Sequence, residues 1–136
     1  MTRWLLFGLA VVAIVGAMTR RSSAWENQDL QATLTAAKTK PILAVFGTSW
    51  CHYCKQLDEE TLSDSDVKAA LQNWEVVKVD AESTEGRKMA EKYGVSGFPT
   101  LVFLKPNGDV VQAASGFVPK EVFLPALGKI YTKAKH

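Results

Sequence analysis

The chain opens on a stretch without polar interruption and then settles into short segments whose apolar residues repeat at helix or strand spacing. Trp4 to Met18 carries no charge. Leu30, Leu34 and Ala37 recur at helical spacing, which predicts a helix over Asp29 to Ala37, with Pro41 closing the connection after it. Ile42 to Phe46 is a continuous apolar run of strand length, as expected for a strand covered by helices on both faces. Gly47-Thr48-Ser49-Trp50 then forms a turn, and a helix is predicted from Cys51 to about Thr61 with Leu57 on its apolar side. Ser63 to Gln72 reads as a second short helix, N-capped by Ser63 or Asp64.

Trp74 to Val79 is the next strand, built around Val76, Val77 and Val79, and Thr84 to Tyr93 follows as a helix stopped by Gly94. Thr100 to Leu104 is another buried strand. Pro106-Asn107-Gly108-Asp109 is a strong turn signal that folds it back onto Val110 to Ser115 as a hairpin. Pro119 opens a C-terminal helix running towards Tyr131, with a kink expected at Pro125. Strands separated by helices predict parallel pairing through right-handed crossovers, and the hairpin adds one antiparallel edge. The fold class is therefore α/β, a small mixed sheet flanked by helices. With 136 residues, 47% of them apolar, the chain suffices for one domain.

Charge changes this picture only at the N-terminus. Arg3, Arg20 and Arg21 are the basic residues of the first 24 positions, which hold no acid; of 16 basic residues this leaves 13 against 14 acidic ones, a charge of −1. A nearly neutral domain without a basic run or face is not built for nucleic acid. The 15 residues Trp4 to Met18 would span about 22 Å as a helix, short of the roughly 30 Å of bilayer hydrocarbon. Residues 1–24 are expected to act as a secretory signal, cleaved before Trp25 after Ser22 and Ala24 or earlier near Val15 and Ala17. The alternative is a membrane anchor through residues 4–18 that leaves the domain in the cytoplasm, which Arg20 and Arg21 favour. Residues 25–136 form the folded domain, expected to be a monomer on the outer side of the membrane.

The chain has two cysteines, three positions apart. A disulfide closing so small a loop restricts the unfolded chain little, so it is a poor structural staple. A zinc site needs four ligands, and only His52 and His136 could supplement the pair. What remains is thiol chemistry, with no metal and no organic cofactor, the sulfurs of Cys51 and Cys54 carrying the electrons. At the head of a helix, unpaired backbone N–H groups and the helix dipole favour a thiolate on Cys51, the nucleophile. Cys54 lies on the same helix face, about 5–6 Å away between Cβ atoms, and can close the disulfide.

Trp50-Cys51-His52-Tyr53-Cys54-Lys55 together with Gly97-Phe98-Pro99-Thr100 resembles the active-site helix and the cis-proline loop of the thioredoxin superfamily, over roughly residues 28–132. Within it, Cys54-Lys55-Gln56-Leu57-Asp58 through Thr61-Leu62-Ser63-Asp64 and Val67 is most similar to the C-terminal domain of the membrane thiol reductase DsbD and to small exported thioredoxin-like proteins. The resemblance implies a thioredoxin fold, a cis Pro99 packed beside the disulfide, and a Phe98 backbone free to pair with a substrate strand. Thioredoxins commonly place a buried aspartate six residues before the first cysteine, where this chain has Val45. Asp58, four residues after Cys54, could take over as proton acceptor, or be a solvated acid beside Glu59 and Glu60. His52 either stabilises the Cys51 thiolate when protonated, which makes the disulfide more oxidising, or has little influence. Trp50 and Tyr53 are expected to shape the substrate groove and Trp74 to sit in the core.

The expected activity is reduction of disulfides in extracytoplasmic proteins, with a membrane thiol reductase as electron donor. A disulfide oxidase or isomerase is the alternative enzyme, against which stands the lack of a helical insertion between Asp80 and Phe98. A binding module that uses the groove without turnover is the non-enzymatic alternative, and intact Cys51 and Cys54 weigh against it.

Overall fold

The computed structural model describes residues 28–36 and 39–136. The export segment assigned to residues 1–24, its cleavage sites and the end of the first helix at Ala37 lie outside the described residues. Helix α1 spans Leu30–Ala36, strand β1 Ile42–Gly47, helix α2 His52–Gln56 and helix α3 Ser65–Leu71. They are followed by β2 (Glu75–Asp80), α4 (Thr84–Lys92), β3 (Thr100–Leu104), β4 (Val110–Ser115) and α5 (Lys120–Ala134).

The four strands lie in the order β2-β1-β3-β4. All six residues of β1 and all five of β3 are buried, because helices cover both faces of the central strands. Leu43, Val45, Leu101 and Phe103 point towards α2, α3 and α5, where they pack with Leu57, Val67, Trp74, Phe123 and Leu127. Ile42, Ala44, Phe46, Val102 and Leu104 point the other way, onto Leu30 of α1 and Met89 and Ala90 of α4. Alternate residues of one strand thus belong to opposite layers. Trp74 is buried, its ring edge-on to Phe103 and Tyr131 at centroid distances of 5.6 and 5.9 Å.

Strand direction departs from the sequence reading. β1 and β2 are parallel, but β3 is antiparallel to both β1 and β4. Asp80, the last residue of β2, lies beside Gly47, and Thr100, the first of β3, lies beside Phe46. The chain therefore leaves and re-enters the sheet at one end. Helix α4 covers only about 14 Å at 1.5 Å per residue, and residues 93–99 carry the chain back. Hydrophobic period reports burial and is blind to direction.

The helix expected from Cys51 to Thr61 is α-helical only to Gln56 and continues as a π-helical segment, Leu57–Leu62. Leu57, Thr61 and Leu62 are all buried, and a wider turn is what puts residues five apart on one face. The Thr61 hydroxyl donates to the Val118 carbonyl at 2.7 Å, tying this segment to the start of α5. Helix α5 continues through Pro125 to Ala134. Pro125 is the sixth residue of the helix, so a single i→i−4 bond is given up there. Helix α4 ends where Gly94 takes φ +68°, with Val95 N–H bonded back to the Ala90 carbonyl at 2.8 Å.

Candidate functional site

Cys51 is the N-cap of α2, in extended conformation (φ −77°, ψ 112°). Its N–H donates to the Thr48 carbonyl at 3.4 Å, and its own carbonyl accepts from Lys55 N–H at 3.2 Å. The Cys51 sulfur accepts from Cys54 N–H at 3.2 Å, so it stands where capping side chains satisfy the free N–H groups of a helix. The two cysteines form a disulfide with their Cα atoms 5.3 Å apart. Cys51 is 7% exposed and Cys54 1%, so only Cys51 offers solvent an approach. Both cysteines belong to the core layer that holds Leu43, Val45 and Leu57, and Cys51, the cap residue at the end of the helix, lies at its more open edge.

The other expected site residues surround this pair in different ways. Trp50 and Tyr53 are among the most exposed large apolar side chains described, at 68% and 58%. His52 is exposed and stacks edge-on to Tyr53 with 5.5 Å between centroids. Phe98 is half-buried, packed against both core layers, and the Phe98–Pro99 peptide bond is cis. Pro99 is buried, and its carbonyl accepts from Gly116 N–H at 2.8 Å.

Asp58 stands at the start of the π-helical segment, where its carboxylate is ion-paired with Lys78 of β2. Both side chains are largely shielded from solvent. The sequence reading had not singled out Lys78. Its signal was alternation: Val77 and Val79 are buried in one layer, which turns Lys78 to the opposite face, where the cysteine helix lies. Glu82 was missed as well. It accepts a hydrogen bond from the Trp50 indole N–H across 32 residues of sequence, a pairing no local pattern announces. Among the described residues no cluster of three or more His, Cys, Asp or Glu could hold a metal ion, and no helix is long and apolar enough to cross a membrane.

This geometry has known counterparts. The family model of the thioredoxin-like domain matches residues 28–131. The chain is 38% identical over 88 residues to the thiol:disulfide interchange protein DsbD of Campylobacter jejuni (strain RM1221), covering 63% of this chain. It spans only 15% of the length of that relative. A thioredoxin from Thermus thermophilus, solved in solution, superposes with a TM-score of 0.71 at 28% identity, over 82% of this chain and 90% of that one. The reduced C-terminal domain of DsbD from Neisseria meningitidis gives a TM-score of 0.61 at 26% identity, over 74% of this chain and 92% of that domain. The family match runs through every described element as far as the last turn of α5, with the cysteine pair at disulfide distance where a helix begins; the chain belongs to the thioredoxin-like domain family.

Proposed function

We propose that this protein is a thiol:disulfide oxidoreductase that works chiefly as a dithiol reductase of disulfides in extracytoplasmic proteins. The observation that carries the reading is the Cys51–Cys54 disulfide at the head of α2, with Cys51 reaching the surface and Cys54 sealed behind it. In the reduced protein the Cys51 thiolate attacks one sulfur of a substrate disulfide. The substrate S–S bond breaks, a mixed disulfide forms on Cys51, and one substrate thiolate leaves. Cys54 then loses its proton and attacks the Cys51 sulfur, closing the Cys51–Cys54 bond and expelling the second substrate thiolate. Two electrons pass from the dithiol to the substrate.

Asp58 is the proposed acceptor of the Cys54 proton, directly or through one water, since Val45 occupies the position where thioredoxins commonly carry an acid. Lys78 holds the Asp58 carboxylate in place. Trp50, His52, Tyr53 and Phe98 line the approach to Cys51, and the Phe98 backbone beside Pro99 pairs with an extended substrate segment. No metal or organic cofactor is required. A membrane thiol reductase returns electrons to the pair, residues 1–24 carry the domain across the membrane or anchor it there through residues 4–18, and the domain works as a monomer. The names of the DsbD relatives support the exchange chemistry. An oxidase reading has one observation on its side, an exposed imidazole at His52 next to the nucleophile.

The test is the reduction potential of the Cys51–Cys54 pair, together with insulin reduction by the wild type and by Asp58→Asn. The expected potential lies nearer to thioredoxin's value of about −270 mV than to the value of about −120 mV typical of DsbA. Asp58→Asn should slow reduction by roughly a hundredfold or more where the Cys54 step limits the rate, the range of a lost general base. A potential close to DsbA's with Asp58→Asn unimpaired would replace the reductase reading with the oxidase one.

A further inference from the structure

Trp50 combines two features: a large apolar side chain 68% exposed, and its one polar atom bound to a specific charged partner. An exposed indole has water to satisfy its N–H and several rotamers open to it. Here the N–H donates to the Glu82 carboxylate, and hydrogen bonds with an ionised partner are roughly twice as strong as neutral ones.

Glu82 is itself held by a stitched loop. Its N–H donates to Asp80 Oδ1 at 2.9 Å, and Ser83 N–H and Oγ both donate to the Asp80 carbonyl, at 3.1 and 2.8 Å. Ala81 N–H reaches the Gly47 carbonyl at 2.9 Å, the residue that opens the turn into Cys51. Gly86 lets α4 begin against this loop, because a Cβ there would lie 1.8 Å from the Asp80 carbonyl oxygen. The loop after β2 thus grips the active-site turn twice, by backbone at Gly47 and by side chain at Trp50.

We propose that Glu82 is a positioning residue: it fixes the Trp50 ring as a preformed apolar wall next to Cys51, so that the site favours disulfides carried in polypeptides, with apolar residues beside the cysteine, over small free disulfides. The inference rests on the oxidoreductase reading above. Physically, an indole ordered before binding has no rotamer freedom left to lose when a substrate chain packs on it, and that saving goes only to substrates large enough to touch it. Tyr53, in the first turn of α2, is 58% exposed as well.

The experiment uses the full chain, reduced beforehand, and measures second-order rate constants for its oxidation by insulin and by bis(2-hydroxyethyl) disulfide. Glu82→Ala should slow the insulin reaction roughly threefold to tenfold, the range set by one hydrogen bond, with little change towards the small disulfide. Glu82→Gln keeps an acceptor oxygen while removing the charge, and should restore part of the insulin rate, since a neutral bond is the weaker one. Equal losses on both substrates, an unchanged insulin rate in Glu82→Ala, or Glu82→Gln as slow as Glu82→Ala would each overturn the assignment. A charge of Glu82 acting on the Cys51 sulfur itself would show as equal losses on both substrates, because Cys51 is the nucleophile towards each. A wild-type chain inert towards both disulfides would overturn the oxidoreductase reading itself, and this inference with it. Glu82 is exposed, so its variants are expected to fold.

Discussion

Helices α2 and α3 solve the same problem with opposite consequences. Each begins with N–H groups that have no partner within the helix, and each has an extended residue whose side chain turns back to meet them. At α3 this is Asp64, whose Oδ1 accepts from Asp66 N–H at 2.9 Å and from Val67 N–H at 3.2 Å. Lys120 of α5 then bridges Asp64 and Asp66 at 3.0 Å each, so the cap is closed and tied to another helix. At α2 the capping atom is the Cys51 sulfur, a weak acceptor at 3.2 Å from Cys54 N–H. The favourable field of a helix N-terminus is used at α3 for stability, and at α2 it is left for a reacting atom that can take a negative charge. A strong oxygen cap in place of Cys51 would satisfy the same groups and could not react.

The sharpest way to break this comparison is Cys51→Ser. Serine is a better cap than cysteine, so disulfide exchange should fall to background while the unfolding midpoint stays near that of the reduced wild type. A large loss of stability would mean that the sulfur is needed for packing and is not merely tolerated as a cap. Cys54→Ser should halt turnover after the first step and accumulate mixed disulfides on Cys51, seen by mass spectrometry. Their appearance elsewhere would reverse the roles of the two thiols. Asp64→Ala should do the opposite of Cys51→Ser, lowering the unfolding midpoint by roughly 5 °C, as loss of a cap does in a domain of about this size, with the exchange rate unchanged.

The smallest expected effect concerns pH. The Lys120 ammonium beside it holds the Asp64 carboxyl below its ordinary value of 3.8, so this contact stabilises the fold above that value and is lost as pH falls through the lowered one. Asp66 first, and Asp64 with it, hold Lys120 above its ordinary value of 10.5, so at the alkaline end the contribution is complete below 10.5 and lost as pH rises through the raised value. Asp66 is exposed and Asp64 and Lys120 are partly so, which keeps the effect small. The difference in unfolding midpoint between wild type and Asp64→Asn should therefore shrink as the solution is acidified to about pH 2, and a constant difference would assign the whole effect to the cap.

Much of this molecule was legible along the chain. The apolar runs Ile42 to Phe46 and Leu101 to Leu104 mark the two central strands, because strands covered on both faces read as near-continuous apolar runs. A cap of α3 at Ser63 or Asp64, of which the structure uses Asp64, Gly94 as the stop of α4 and the turn before β4 follow from local backbone chemistry. The reactive pair is local too, since three residues along a helix bring two cysteines within reach of each other. What only the tertiary structure decided are relations between distant segments. The antiparallel entry of β3 depends on where residues 93–99 return the chain, and the π-helical turn on the need to bury Leu57 and Leu62 together. The partners of two of the expected site residues, Lys78 for Asp58 and Glu82 for Trp50, stand 20 and 32 residues away. Periodicity and capping are set by neighbours within a few residues and can be read in one dimension, whereas an ion pair or hydrogen bond across the fold exists only once packing has brought its two ends together.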